Sequence, residues 1–502
     1  MANKKTPKPG RLVYRNQGLY ILNFSGLDSS IQQAVLNLIS SCELEYVEED
    51  GFTTLILKGI PWDKYPEIAR KISKPIELQD VRPIRNYLYD EPIEFSEVEK
   101  VTSDFCDFLE NNREEIASAL QGFETYNVVL DEIARSVDHL RNISKNREYF
   151  KKKVYKTVSF LPLNQPLYAF VCFGVIPSLM SELSFVRPPE IVQPHFVKLA
   201  NTLNIQEFFP NITVHLGDRP SYRELTKGDI DVVIFTGRPE NAKRIYSEYE
   251  CKLFIFNGSG HNPIVVSESA DVKKATESIL RVCLQNQGQD CAAPNSILVH
   301  KEKLNELKNE LMPKLDEIEM LVGDYKDRKN ILGPNSNPSR LLEIFELLYR
   351  DKDYCIRGGE VNIITNIIKP TVFEKRLELG GNFDEFYAPV IMLQPYESDA
   401  DLQLYFEDQQ YYPNAMYVTV FGESKYVNEL ANKEIHNKEN ILHNTDLHVV
   451  ERGFLPYGGL GPNASCVYFN DQKIPGATLP QRDIYNYLIN EDFVPAKGIP
   501  ID

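Results

Sequence analysis

The stretch NQGQDCAAP, residues 286–294, sets one cysteine, Cys291, among amides, a glycine, an acid and small residues, with no second cysteine close enough for a C-x-x-C pair. A thiolate nucleophile needs partial exposure and a hydrogen-bonding or electropositive setting, and these neighbours are small and polar enough to allow one. They are equally compatible with a buried, inert thiol. The remaining cysteines, at 42, 106, 172, 251, 283, 355 and 466, are read as structural; Cys283 falls on the apolar face of the helix that leads to Cys291. Their spacing suits neither a zinc site nor a disulfide framework, so no metal is expected, and reduced thiols in a cytoplasmic compartment are. A loose G-x-G-x-x-A match at 459–464, GLGPNA, carries a Pro where a helix should open and has no βαβ unit after it. It reads as a glycine-rich turn rather than a phosphate loop.

The elements that must position Cys291 can be read from periodicity. The first hundred residues give short mixed signals, with a strand over GFTTLILKGIPW and a helix over YPEIARKI. From Phe95 to about Asn146 apolar residues recur at three- and four-residue spacing, as in amphipathic helices. KKKVYKTVSFL (151–161) alternates like an exposed strand or hairpin arm. Beyond it strands and helices alternate through LYAFVCF, SFVRPP, NITVHLG, DVVIFTG and CKLFIFNG, which predicts an α/β, doubly wound, mostly parallel sheet. Such sheets bind nucleotides at the carboxyl ends of their strands. A second α/β unit begins near Asn262, and its long helix DVKKATESILRVCLQ delivers the chain to Cys291.

Composition excludes some classes of function. The 502 residues are too many for one core, and 55 Lys and Arg against 72 Asp and Glu give a net charge of −17. That charge argues against nucleic acid or an anionic membrane as the main partner. The longest apolar run, LYAFVCFGVIPSLM (167–180), is too short to span a bilayer and is broken by Gly174 and Pro177, so no membrane segment is expected. The basic opening MANKKTPKPG has no apolar stretch after it, and no signal peptide is expected.

A wider pattern resembles the aldehyde dehydrogenase superfamily. FTGRPENAKRI, LFIFNGSGHNPIVVSESADVKKA and NQGQDCAAPNSILVH are similar to that family's Phe-Thr-Gly strand end, Gly-Gly-x-x-Pro turn, Ala-Asp-x-x-x-Ala helix and Gln-x-Cys nucleophile. LPLNQPL (161–167) resembles its Pro-Trp-Asn-x-Pro, VRPPE (186–190) its Lys-Pro-x-Glu, and IKPTVF (368–373) its Pro-Thr-Val. DEFYAPV (384–390) resembles its Glu-x-Phe-Gly-Pro, and PYGGLG (456–461) its Pro-Phe-Gly-Gly. The landmarks fall in the family's order over roughly residues 100–475, whereas residues 1–95 lack its usual opening.

The resemblance implies an aldehyde dehydrogenase-like architecture. Residues 1–257 would hold an N-terminal region and the NAD(P)-binding domain, and 258–450 the catalytic domain. Residues 451–502 would return to the cofactor domain, and a small β oligomerisation element would combine the 148–161 arm with a C-terminal strand in a homodimer or homotetramer. It further implies that Cys291 is the nucleophile and that Asn164, with the Cys291 backbone N–H, stabilises the oxyanion. Glu385 would hold the nicotinamide ribose beside Tyr387, Thr236 and Gly237 would end the strand next to the cofactor, and Arg187 and Glu190 would meet the adenosine ribose. Arg238 replaces a small residue where the cofactor's phosphates would lie. Two arginines lean towards NADP, since guanidinium pairs well with phosphate; Glu190 leans towards NAD.

The departure that bears most on chemistry is Asn257. Hydrolytic members carry at that position a Glu that activates water against the acyl-enzyme, and LFIFNGSGHN contains no carboxylate. The nearest basic side chain is His261. Without a base an acyl group on Cys291 resists water but can still pass to or from another thiol. The expected activity is therefore NAD(P)-dependent reduction of an acyl thioester, from coenzyme A or a carrier protein, to an aldehyde, or the reverse acylating oxidation. The alternatives are a hydrolytic aldehyde dehydrogenase giving a carboxylic acid and a non-catalytic binding subunit. YYPNAMYVTVF (411–421) and the irregular loop at 443–455 are expected to line the substrate side.

Overall fold

The computed structural model describes residues 8–15, 18–39, 44–49, 52–58, 64–74, 76–78, 91–337, 340–432, 436 and 438–501, so Cys42 lies outside the described residues. Strands β1 (Arg11–Arg15), β2 (Gly18–Leu22), β3 (Leu44–Glu49), β4 (Phe52–Lys58) and β5 (Ile76–Leu78) form a sheet of their own in the order β3-β4-β2-β1-β5. Leu55 and Leu57 of β4 face a core that includes Ile68 and Ile72 of the helix Lys64–Ile72, while the intervening Ile56 joins Val13 and Tyr20 on the other face. This two-residue alternation gives residues 11–78 a small core separate from the rest of the chain.

The cofactor-type sheet follows. Its parallel strands are β6 (Val154–Phe160), β7 (Ser181–Arg187), β8 (Ile212–Val214), β9 (Ile230–Thr236) and β10 (Cys251–Asn257), in the order β10-β9-β6-β7-β8. Helices Tyr126–Arg141 and Gln193–Thr202 cover one face, and Arg219–Thr226 and Pro239–Glu248 the other. Chain order reverses between β6 and β9, so the loops after Phe160 and after Thr236 open into one crevice.

The 148–161 stretch corrects the expectation of an exposed oligomerisation arm. β6 lies between β7 and β9 at the centre of this sheet, and Val154, Val158, Thr157 and Ser159 are fully buried. Several of its polar groups find partners inside the protein, although the Ser159 hydroxyl is buried without one. The Tyr155 and Lys156 amides donate to the Asp231 carboxylate at 2.6 and 3.1 Å, and Lys156 Nζ reaches the Thr226 and Lys227 carbonyls. A strand flanked by neighbours on both edges has no ladder left to pair across subunits.

The second body holds β11 (Ile264–Val266), β12 (Ile297–His300), β13 (Cys355–Arg357), the hairpin β14 (Val361–Asn362) and β15 (Ile367–Ile368), β16 (Thr371–Glu374), β17 (Val390–Tyr396), β18 (Val418–Phe421) and β19 (Ile441–His443). Its seven-stranded sheet runs β13-β16-β17-β12-β11-β18-β19 and is parallel except for β13. The chain then returns to the first sheet. β20 (Ser465–Phe469) adds antiparallel to β10, followed by β21 (Gln472–Pro475) and β22 (Ile499–Pro500). No helix among the described residues is long and apolar enough to cross a membrane.

Candidate active site

A cavity of about 560 Å³ opens between the two bodies at the carboxyl ends of β6 and β9. Its wall takes Asn164 from the loop after β6, Thr236, Gly237 and Arg238 from the end of β9, and Asn257 from the end of β10. Cys291 and the pair Glu385 and Tyr387 complete it from the opposite body, and Arg187 lines the far end. Of the residues singled out in the sequence around the site, Glu190 and His261 stay off this wall. The Glu190 side chain points to solvent, 67% exposed, and is held by Arg187 at 2.8 Å.

The Cys291 loop is shaped by its backbone. The helix Val272–Leu284, capped by Asp271 on the Lys274 amide, ends in three successive residues with positive φ, namely Asn286, Gln287 and Gly288. That left-handed run turns the chain back into the crevice. Gln289 O then accepts from Asn164 Nδ2 at 2.9 Å, which ties the expected oxyanion donor to the Cys291 loop. Behind Asn164, Gln165 also has positive φ, and its amide donates to the buried Glu124, which accepts from Asn286 Nδ2 as well. One carboxyl group thereby braces both loops.

The thiol itself is half-buried and lies 3.0 Å from the Tyr457 hydroxyl. Burial, then the Asp290 charge, pushes its pKa well above the ordinary thiol value, and Glu451 and Glu385 add to this; only the Tyr457 hydrogen bond opposes them. The cations beside Asp290 and Glu451 are already paired. His448 Nε2 sits 2.9 Å from Asp290 Oδ2, and Arg135 binds Glu451, whose other oxygen accepts from Tyr168 OH at 3.1 Å. Burial alone would raise Asp290, but His448 and the Ala292 amide outweigh it and hold the carboxyl down at about 2.

Asn257 is fixed on both sides. Its Nδ2 donates to Thr236 Oγ1 at 3.3 Å, and its Oδ1 accepts from Thr478. Ser259 Oγ donates to Glu385 Oε2 at 2.9 Å, while Glu385 Oε1 is buried without a hydrogen-bond partner. Burial raises the Glu385 carboxyl to about 7. An orphaned acceptor at this place fits the hydroxyl of a nicotinamide ribose. His261 cannot serve as a substitute base, because both ring nitrogens face carbonyls, of Tyr411 at 3.3 Å and Phe383 at 3.1 Å, and burial lowers its pKa.

Several wall residues escaped the sequence reading. Tyr457 was visible only as the second residue of PYGGLG, and Ser259 as part of a turn. Arg219 and Arg244 line the cavity from the two helices that follow β8 and β9. The Arg135–Glu451 and Asp290–His448 pairs join residues far apart in sequence, and no local signal marks them. Cys172, read as structural, also lines the wall, with Sγ 3.6 Å from His139 Nδ1. Of the two substrate-side stretches, Glu451, Gly453 and Leu455 of the irregular loop reach the cavity, whereas Val418–Phe421 is a buried strand.

Residues 99–461 match the family model described as "Aldehyde dehydrogenase family". The chain belongs to the aldehyde dehydrogenase family. Over 339 residues it is 25% identical to 4,4'-diaponeurosporen-aldehyde dehydrogenase of Staphylococcus aureus, covering 66% of this chain and 72% of that one. It also superposes, at TM-score 0.64 and 14% identity, on glyceraldehyde-3-phosphate dehydrogenase of Methanocaldococcus jannaschii in complex with NADP, covering 78% and 88% of the two chains. A Staphylococcus aureus betaine aldehyde dehydrogenase double mutant in complex with NAD+ gives TM-score 0.63 and 17% identity, over 77% of this chain and 82% of that one. Both superpositions speak to the fold. The family makes the protein an oxidoreductase, and the residues 11–78 sheet precedes the matched region.

Proposed function

We propose that this aldehyde dehydrogenase homologue reduces an acyl thioester, carried by coenzyme A or a carrier protein, to an aldehyde through a thioacyl-enzyme on Cys291, or runs the reverse acylating oxidation. The observation that carries this reading is Asn257. A carboxylate is absent from this position, and the amide that replaces it is held by Thr236 and Thr478, so it can neither take a proton from water nor turn to orient one. A positioned general base is worth roughly 10²–10⁴-fold in rate.

In the reductive direction the Cys291 thiolate attacks the acyl carbon, and the carbonyl oxygen becomes an oxyanion within reach of the Asn164 amide and the Cys291 backbone N–H. One such donor is worth about 2.7–4 kcal/mol in kcat terms. The leaving thiol departs, and the acyl group stays on sulfur because no base delivers water. NAD(P)H, when bound, supplies hydride to the acyl carbon. The resulting oxyanion is again met by Asn164, and its collapse expels aldehyde and returns the Cys291 thiolate. Glu385 would hold the nicotinamide ribose with its free Oε1, and Tyr387 would pack beside the ring.

Cofactor preference leans to NADP. Arg187 is committed to Gly217 O at 3.1 Å and to Glu190, Arg238 pairs with Glu343 and Arg219 with Glu248, and Arg244 donates to Asn241. Arg219, Arg238 and Arg244 nevertheless all line the cavity, and Arg219 Nε is buried without a partner. The hydrolytic alternative has one specific support: Glu451 lines the cavity. Both its oxygens are occupied, by Arg135 and Tyr168. We expect a homo-oligomer in the cytoplasm, its contacts made by a surface other than β6.

The test follows NAD(P)H absorbance with a panel of acyl-coenzyme A thioesters, and the reverse reaction with aldehydes with and without coenzyme A, beside Cys291→Ala. Thioester-dependent NAD(P)H oxidation that vanishes in Cys291→Ala supports the reading. Aldehyde oxidation to acid that proceeds equally without a thiol overturns it in favour of hydrolysis.

A further inference from the structure

We propose that Tyr457 is a catalytic residue, whose hydroxyl donates the hydrogen bond that holds the Cys291 thiolate ready for attack. The inference rests on Cys291 being the nucleophile and goes beyond the residues that the family resemblance assigned. Tyr457 OH lies 3.0 Å from Cys291 Sγ and is the sulfur's one side-chain hydrogen-bond partner among the described residues.

The ring is held where it is. The Tyr457 amide donates to Thr478 O at 2.9 Å and the Thr478 amide returns the bond to Tyr457 O at 2.8 Å. On its other side the Tyr417 ring packs with its centroid 5.9 Å away, and the Tyr417 hydroxyl accepts from the Gly458 amide at 3.2 Å. The same Thr478 fixes Asn257, so the donor to sulfur and the residue at the lost base position share one anchor.

The surroundings leave the task to this hydroxyl. The titratable and charged groups facing Cys291 are Asp290 beside it in the chain, Glu385 and Tyr387 from the segment before β17, Glu451 from the 443–455 loop, and Tyr457 backed by Tyr417. Each acid disfavours a second negative charge on sulfur. Arg135 and His448 are spent on Glu451 and Asp290, and Arg340, which lies over the Tyr387 ring, is paired with Glu343. Burial and the adjacent thiol push the phenol's own pKa well above its ordinary value, so it keeps its proton where the sulfur loses one. In the thiol exchange the Cys291 proton goes to solvent, the new C–S bond forms with the sulfur's electron pair, and the leaving thiolate departs with the pair of the broken C–S bond and takes a proton. The Tyr457 O–H bond stays intact and only its acceptor changes.

The test needs no substrate. Iodoacetamide alkylation of Cys291 is followed by peptide mass spectrometry from pH 7 to 11 in the full-length protein and in Tyr457→Phe, and a midpoint beyond the window is read as the pH offset between the two rising rate curves. Loss of a hydrogen bond to a charged acceptor should raise the alkylation midpoint by about one to two pH units, lowering the rate at pH 8 roughly ten- to a hundred-fold. An unshifted midpoint in Tyr457→Phe overturns the inference while leaving Cys291 a reactive thiol. No alkylation of the unaltered protein at any pH overturns the nucleophile reading and this inference with it. Should Tyr457→Phe fail to fold, 3,5-difluorotyrosine at position 457, a stronger donor, decides: a lower midpoint supports the inference and an unchanged one overturns it.

Discussion

Two side chains at the site carry opposite lessons about charge. On the proposed reading Asn257 is a neutral amide where a carboxylate would activate water, so Asn257→Glu should introduce acid formation from aldehyde and NAD(P) without added thiol. Product analysis by mass spectrometry checks this, and the gain should be smaller than the roughly 10²–10⁴-fold worth of an optimally placed base, because Thr236 and Thr478 would hold the new carboxylate too. At Glu385 a carboxylate is present but burial lifts it to about 7. Its folded pKa is raised above its ordinary 4.5, so the stability it contributes is complete below that value and is lost as pH rises through about 7. Cofactor affinity should run the other way. The ionised group accepts a ribose hydroxyl better, so NAD(P)H should bind more tightly as pH rises past neutrality, and Glu385→Gln should flatten that profile in a fluorescence titration.

At the scale of elements, the loop from Asn286 to Cys291 is the part least tolerant of change. Gly288 has φ +71°, and a Cβ there would meet Ala388 O at 2.2 Å and Cys283 O at 3.0 Å. Gly288→Ala should cost about 1–2 kcal/mol for the left-handed backbone alone, and more for the clash with the segment that carries Glu385 and Tyr387. A lower melting temperature together with slower Cys291 alkylation would show that the loop has moved. Much of this frame was legible beforehand. The alternation of apolar runs and amphipathic helices pointed to the doubly wound order, and the Asn164, Cys291 and Glu385 motifs meet at one cavity. LYAFVCF, however, is not a strand: it is helical over Pro166–Phe170 and Val171–Val175, and a helix largely buried in the core carries the same continuous apolar run as a central strand. β6 was misread because Lys156, Thr157 and Ser159 look like a solvent face, yet each is buried with polar partners or in the ladder of a central strand. Tyr457 and the two ion pairs were missed because their meaning lies in contacts across the fold.

At the scale of the whole molecule, the described residues between 11 and 78 carry their own core, and none of them belongs to the apolar cluster on which β6 and β7 rest. They touch the main body where β5 packs against the helix Arg219–Thr226. A chain beginning at residue 91 should therefore unfold cooperatively and still bind NAD(P)H. Its affinity should shift, because Arg219 at the start of that helix lines the cavity; circular dichroism and fluorescence titration read the two outcomes.

The antiparallel return of β20 onto β10 bears on how the protein is made. The ribosome releases β10 long before β20, with roughly two hundred residues of the second body between them. Until Ser465 emerges, the Asn257 strand is an open edge exposed to other nascent chains. Translation that stalls or ends early would leave a sheet with an unpaired border, which makes this stage of synthesis the one most in need of a chaperone.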